Sequence, residues 1–426
     1  KEYFSVKHVI TVNSWTSGLI AALGALGIEP GDEVIVSPWT MCASATSILH
    51  WCAIPVFADI ENETFNLNPE SIEKNISKLT KAIMVPEIFG HPANMKAIRK
   101  IADQYNLMII SDTAQSPKAK YNNNLYAGMT ADIGGFSLNY HKHIQTGEGG
   151  ILVTDSTELA ERMQLIRNHG EAVVNDRGIE RIDNILGYNF RLGEIESAIG
   201  IEQLKKLNHL IKRRVEIANE ITSELKNLNG IRTPKIKDGC THSFYVYGIV
   251  YDPEATGVSR DLIYNALKAE GVPITNSYAN LHLLPMYQKK IAYGKKGFPW
   301  SSDIYSGNVS YKKGICPVAE DLKNLSPKDV HLTIKNLNAG YGKMEILHNF
   351  DLFVSRAQSL CLIGPNGAGK STILHSIYGF TNIFSGQIEI DGKEITNLSP
   401  AEKLKSVGIA YILQDNSVFP DMTVEE

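Results

Sequence analysis

Short apolar, β-branched runs alternate with helical stretches through the first part of the chain. Glu33–Val36, Pro55–Ala58, Lys81–Val85 and Leu107–Ser111 read as buried strands, and Met95–Tyr105 reads as a helix between two of them. That alternation predicts an α/β domain with a largely parallel sheet. A long amphipathic segment follows, where Leu192, Ile195, Ala198 and Ile199 repeat at helical spacing and Leu204 and Leu207 continue the stripe. It opens the connection to a smaller domain, with strand material at Ser243–Tyr251 and a helix at Arg260–Glu270 stopped by Gly271. Between Pro317 and Val330 the sequence turns polar. From His331 a new pattern begins, with strands at Leu332–Leu337 and Gln358–Ile363 and then a glycine-rich loop. The expected organisation is a large α/β domain over 1–211, a small α+β domain over 212–327 and a third, α/β domain over 328–426, without internal repeats or low-complexity segments.

Composition narrows the classes. With 43% hydrophobic residues the chain can build two or three cores. A net charge of -4, from 42 basic and 46 acidic residues spread along the chain, gives no field that favours nucleic acid or an anionic membrane. Five scattered cysteines without metal spacing predict reduced thiols, no disulfide and no zinc. No apolar run approaches the ~20 residues of a membrane span, and Lys1–Asn13 lacks a secretory core. The expectation is a cytoplasmic protein with small soluble partners and no direct membrane insertion.

The chemistry concentrates in Gly135–Gly150, where Lys142 stands between Ser137 and a glycine-rich turn. A lysine can condense with an aldehyde cofactor if its surroundings lower its pKa enough to free the amine. Upstream, Ile110-Ser-Asp-Thr-Ala-Gln115 ends an apolar strand in a carboxylate, the end at which α/β sheets present ligand-binding groups. Asp112 could keep the nitrogen of a pyridine ring protonated and so make the ring an electron sink. Alone, such a lysine is usually a solvated surface group and such an aspartate a helix cap; their order and spacing decide.

These segments, together with Asn13-Ser-Trp-Thr16, Gly31–Ile35, Pro55–Asp59, Arg167–Gly170 and Gly187–Arg191, resemble the DegT/DnrJ/EryC1/StrS sugar aminotransferases from about Val6 to about Asp321. The resemblance implies a fold type I enzyme that carries pyridoxal phosphate (PLP) and aminates a nucleotide-linked keto sugar, with glutamate or glutamine as donor. Lys142 would bind the cofactor covalently and shuttle protons. Asp112 would hold the ring nitrogen, Gln115 the ring hydroxyl, and Thr16, Ser17 and Ser137 the phosphate. Asn189 would reach the cofactor phosphate of a neighbouring subunit, which implies a homodimer. The sequence departs from the family pattern at Trp15, where glycine is usual, at Met41, where an aromatic ring often stacks on the cofactor (Trp39 being the substitute at hand), and at Glu87, where histidine is usual. Tyr278 and His282 match an acceptor-side loop, although His282 could equally fill a polar core site. Against the family pattern the chain opens close to its first cofactor-contacting segment and is expected to be truncated at its N-terminus.

Gly364-Pro-Asn-Gly-Ala-Gly-Lys-Ser-Thr372 fits the phosphate-binding P-loop. Its backbone N–H groups would wrap phosphates, among them those of Gly364, Asn366, Gly367 and Gly369, followed by Thr372. Lys370 would reach the β and γ phosphates and Ser371 would ligate Mg²⁺. Residues ~331–426 resemble the start of an ABC transporter ATPase of the branched-chain amino acid importer type. By that resemblance Tyr341 would stack on adenine and Gln414 would contact Mg²⁺ and the attacking water. The Leu-Ser-Gly-Gly motif, the second acidic strand with its glutamate and the switch histidine are not in the sequence, so no ATP hydrolysis is expected and weak Mg-ATP binding is left open, and the two-part chain reads as a recombined or misassembled fragment.

Overall fold

The computed structural model describes residues 1–122, 125–170, 184–275, 278–323, 330–355, 362 and 367–411. The chain divides into two compact units, Lys1–Tyr251 with Thr275–Asn324, and Asp252–Ile274 with Leu325–Glu426. Residues 212–251 and 275–323, expected in a small domain of their own, pack within the first unit.

The first unit is built on a seven-stranded sheet of order β1-β9-β8-β5-β4-β2-β3. Its strands are β1 (His8–Val12), β2 (Glu33–Val36), β3 (Ile54–Phe57), β4 (Thr80–Pro86), β5 (Met108–Asp112), β8 (Ile133–Ser137) and β9 (Gly150–Thr154); β6 (Lys120–Tyr121) and β7 (Leu125–Tyr126) form a separate small ribbon. From β8 to β3 all neighbours run parallel, while β9 is antiparallel to both β8 and β1. The parallel strands are predominantly apolar, as expected where helices cover both faces of such a sheet: β2 and β3 are buried at every position. The carboxyl ends of β4, β5 and β8 deliver Glu87, Asp112 and Ser137 to one edge, where open α/β sheets bind ligands.

Beyond the sheet, the amphipathic segment becomes one long helix, Glu194–Leu225. The expected strand over Ser243–Tyr251 shortens to β11 (Val250–Tyr251), paired with β10 (Ile231–Arg232). Its first half is claimed by the large sheet's loops instead: Ser243 N donates to Gly90 O, Val246 N to Phe89 O, and the Phe244 carbonyl accepts from the Arg214 guanidinium. The chain then returns along β3. Tyr311 donates to the Pro55 carbonyl and accepts from Trp300, while Tyr287 and Tyr311 pack edge-on against Phe57.

In the second unit, a four-stranded sheet of order β13-β12-β14-β15 runs antiparallel throughout, formed by β12 (Val330–Tyr341), β13 (Met344–Ser355), β14 (Asn382–Ile390) and β15 (Lys393–Glu394). Ile334, Leu337, Leu347, Ile373 and Ile388 make its core. The helix Arg260–Ala269 is capped at its start by Ser259 and followed by Gly271 with φ +81°, where the sequence places its end.

Candidate functional site

Asp112 closes β5 and is buried, yet its carboxylate is well supplied with donors. Trp15 Nε1 donates to Oδ1 at 2.6 Å, the Ala114 N–H to the same oxygen at 3.3 Å, and Ser44 Oγ to Oδ2 at 2.7 Å. Trp15 is the first residue of the helix Trp15–Leu26, which Ser14 caps by accepting from Ser17 N. Ser44 lies in the first turn of Ala43–His50. A large ring beside this helix start finds room because the facing strand carries glycine: a Cβ on Gly135 would meet the Trp15 ring at 2.3 Å.

Lys142 follows β8 in a loop tied by hydrogen bonds from its own N–H to the Asn139 carbonyl and from Asn139 Nδ2 to Glu148 Oε1. Its ammonium lies 4.3 Å from the centroid of the Tyr245 ring. Burial pulls the Lys142 pKa down to about 8, and the negative charge of Asp112 opposes the shift. The amine and the carboxylate singled out by sequence are therefore close enough to feel each other, and the amine is far easier to deprotonate than a solvated lysine. Next to it, His143 donates from Nε2 to the Ser243 carbonyl at 2.9 Å and is driven by burial to about 4, so it is neutral at ordinary pH.

The remaining sequence candidates take varied places. Gln115 is buried, accepting from Phe89 N and donating from Nε2 to the Tyr278 hydroxyl, both at 2.9 Å, while Tyr278 stacks on Phe89. Ser137 is buried at the end of β8 and accepts from Asn139 N. Thr16 is exposed; Ser17 is buried, its N–H on Ser14 Oγ and its hydroxyl 2.8 Å from the same atom. Met41 is 58% exposed, whereas Trp39 is closed into the core and offers no ring face for stacking. Asn189 is exposed, bridged to Asn168, and its carbonyl accepts from Asn13. His282 does not open onto this site: it is wholly buried, its Nε2 2.8 Å from Glu320 Oε1, so of the two open readings the core one describes where it lies. Trp15, Ser44 and Tyr245 are the contacts that the sequence did not assign; the bulky residue in place of glycine at Trp15 was the one signal. Among the described residues no group of histidine, cysteine and acidic side chains gathers as a metal set.

Glu87, in the family's histidine position, sits directly behind Asp112. Its Oε1 accepts from Ser111 Oγ at 2.5 Å and from Gly128 N at 3.3 Å, and its Oε2 has no partner. Burial raises its pKa from 4.5 to about 7; the two hydrogen bonds oppose this and the Asp112 charge adds to it. The folded state thus holds a proton that the unfolded state releases above about 4.5, and stability falls as pH rises from there to about 7. Glu87→Gln, which cannot ionise, is expected to stabilise the protein by about 3 kcal/mol at pH 8 and by almost nothing at pH 4.5. Thermal melts of both proteins across that range check it; a stabilisation independent of pH would show that Glu87 is ionised throughout.

In the second unit, the helix Lys370–Tyr378 starts after Gly369, whose φ of +80° suits a residue without Cβ. Ser371 is exposed in its first turn and Thr372 is buried. Tyr341, at the end of β12, shares a hydrogen bond of 2.5 Å with His375 Nδ1 on this helix, and His375 Nε2 lies 3.0 Å from the Tyr411 hydroxyl. Gly367 is described in the preceding loop; Gly364, Asn366 and Gln414 lie outside the described residues, as does the expected strand Gln358–Ile363 apart from Leu362.

The model of the DegT/DnrJ/EryC1/StrS aminotransferase family matches residues 1–323. The chain belongs to that family. A separate model, that of the ABC transporter family, matches residues 347–426. An uncharacterized protein of Methanocaldococcus jannaschii, MJ1066, is 37% identical over 316 residues, 73% of this chain and 82% of the relative. The GDP-perosamine synthase of Vibrio cholerae is 33% identical over 317 residues, 74% of this chain and 84% of the relative. Among solved structures, DesV of S. venezuelae in complex with a ketimine intermediate superposes with TM-score 0.64 at 30% identity, covering 76% of this chain and 79% of that one. The GDP-4-keto-6-deoxy-D-mannose-3-dehydratase of E. coli with bound hydrated PLP gives 0.57 at 27% identity, covering 63% and 73%.

Proposed function

We propose that this aminotransferase-family chain uses PLP to move an amino group from glutamate or glutamine to a nucleotide-linked keto sugar. The observation that carries the reading is the pairing of a buried Asp112 carboxylate with a Lys142 amine whose pKa is lowered to about 8. The donor set fits the cofactor. An ionised carboxylate offers about four lone-pair positions; the donors Trp15, Ala114 and Ser44 leave room for a ring nitrogen. When bound, PLP supplies an aldehyde for the amine and a ring that withdraws electrons from the donor's α-carbon.

Within that reading, Asp112 keeps the ring nitrogen protonated. Gln115, already directed by Phe89 and Tyr278, faces the ring hydroxyl. Thr16, Ser17 and Ser137 hold the phosphate at the start of the first helix, and Met41 lies against the ring. Lys142 would take the proton from the donor's α-carbon and, in the acceptor half of the reaction, give a proton to the sugar carbon that becomes aminated. Tyr278 belongs to the acceptor side; His282 is withdrawn from it by its burial. The sugar class follows the relatives: one is named a GDP-perosamine synthase, another a dehydratase of a GDP-linked keto sugar. Exposed Leu186, Ile195, Ile199 and Ile201 support a homodimer that would put Asn189 at the partner's cofactor.

The test is the visible absorption spectrum of the purified protein with PLP, before and after glutamate or glutamine. A band that changes on adding the donor, followed by amination of a GDP-linked 4-keto sugar, supports the reading. Absence of any band in folded protein sinks it.

For the second unit, the match to the ABC transporter family and the Gly369-capped helix beside Tyr341 support binding of Mg-ATP, with Tyr341 on the base and Lys370 and Ser371 toward phosphates and metal. Titration with a fluorescent ATP analogue, with and without Mg²⁺, tests it; Lys370→Ala should abolish the signal.

A further inference from the structure

We propose that Trp15 is a positioning residue of the cofactor site: its indole N–H fixes the orientation of the Asp112 carboxylate. The inference rests on the PLP reading given above. Sequence alone makes Trp15 an obstacle, a bulky ring where a phosphate turn needs space. The structure turns the ring away from that turn and into a slot lined by glycines. A Cβ on Gly135 would come within 2.3 Å of Trp15 Cη2 and Cζ3, one on Gly18 within 2.9 Å of Cε3, and one on Gly150 within 2.9 Å of the Trp15 backbone. Two positions without side chains, Gly135 and Gly18, therefore make the room the ring occupies, and Gly150 leaves room for its backbone.

The consequence is electrostatic. Trp15 is 6% exposed, so water cannot serve its one N–H, and the acceptor it finds is Asp112 Oδ1 at 2.6 Å. A hydrogen bond to a buried carboxylate is worth about twice a neutral one. On the other side, Ser44 Oγ holds Oδ2 at 2.7 Å. Together the two donors stop the carboxylate from rotating about its bond to Cβ. Oδ1 already accepts from both Trp15 and the Ala114 N–H, whereas Oδ2 accepts from Ser44 alone, so Oδ2 is the oxygen left to meet a ring nitrogen.

Trp15→Phe keeps an aromatic ring at this position but removes the N–H together with part of the indole that fills the slot, so the shift in pH profile, which lost packing alone would not cause, is the deciding readout. Equilibrium titration with PLP is expected to show affinity about 10-fold or more weaker than wild type, the loss of one charge-assisted bond, and a visible band whose pH profile is shifted. Ser44→Ala should act in the same direction. Wild-type affinity and an unchanged pH profile in Trp15→Phe would reduce Trp15 to a packing residue and overturn the inference. Should that variant fail to fold, the ¹H–¹⁵N spectrum of tryptophan-labelled wild type and Asp112→Asn decides. One indole resonance must move between the two; four unmoved resonances overturn the contact. A wild type that binds no PLP overturns this proposal together with the function it rests on. A wild type that binds alongside an indistinguishable Trp15→Phe overturns the role of Trp15 alone.

Discussion

Lys142→Ala is expected to lose the visible PLP band and to lower kcat/KM for transamination by about 10³-fold or more, since it removes both the covalent anchor and the proton shuttle. The pH dependence of the wild type gives the residue a fingerprint. Burial disfavours the ammonium form, and a pKa of about 8 leaves roughly a quarter of the amine neutral at pH 7.5, against about 0.1% for a solvated lysine. Capture of pyridoxal phosphate by the unliganded protein should therefore rise with pH and level off above about 8, far below the plateau of a surface lysine near 10.5. Stability also rises with pH, but in a higher window. The folded pKa lies below the unfolded one, so the folded state is penalised below about pH 8 and recovers as pH climbs toward 10.5. Unliganded Lys142→Ala should melt slightly higher than wild type at pH 7, and the difference should fade in that window. Rapid-mixing absorbance and melting curves read the two effects. A capture rate still climbing at pH 9.5 would mean that Lys142 is solvated.

The parts of this molecule that the sequence makes legible are those set by local repetition. β2, β4 and β5 are largely buried on both faces, so they stand out as predominantly apolar runs, within a residue or two of where they lie. Asp112 and Lys142 are legible for a related reason: Asp112 ends a strand, Lys142 stands between a strand and a glycine-rich turn, and a strand's carboxyl end has a known place in a parallel sheet. What stays hidden depends on partners distant in the chain. Trp15 and Asp112 are 97 positions apart, and Ser44 and Asp112 are 68. No periodicity encodes such a meeting, although the paired glycines at Gly134 and Gly135 mark a strand that something approaches closely. Ser243–Tyr247 reads as strand because its composition suits one, yet loop carbonyls of Phe89 and Gly90 take its N–H groups first. His282 shows the same rule from the other side: a histidine in a binding-loop pattern is drawn into the core because Glu320, 38 residues on, satisfies its Nε2 there.

Asp112 is where fold and chemistry are hardest to separate, and two substitutions separate them. Asp112→Ala leaves the buried Trp15 N–H without its acceptor and leaves Ser44 only the longer contact with Thr40 Oγ1 at 3.3 Å. A buried donor left unsatisfied costs about 1–3 kcal/mol, so this variant should be visibly less stable as well as inactive. Asp112→Asn keeps the shape. Its amide oxygen can accept from Trp15, and Ser44 can turn its hydroxyl to accept from the amide N–H₂, so the melting temperature should stay close to wild type. What the amide lacks is charge, and without it a ring nitrogen has no partner to keep it protonated. Turnover is expected to fall by about 10²-fold or more, chiefly in kcat, because the loss is felt where negative charge develops on the reacting carbon. The same change acts on Lys142. The Asp112 charge raises the pKa of the amine against the effect of burial, so its removal should move the pH midpoint of PLP capture below that of wild type. The two readouts must move together in Asp112→Asn: slower turnover and a capture profile displaced toward acid. Slower turnover with an unmoved profile would place the carboxylate too far from Lys142 to share its site, and the pairing that supports the aminotransferase reading would be lost.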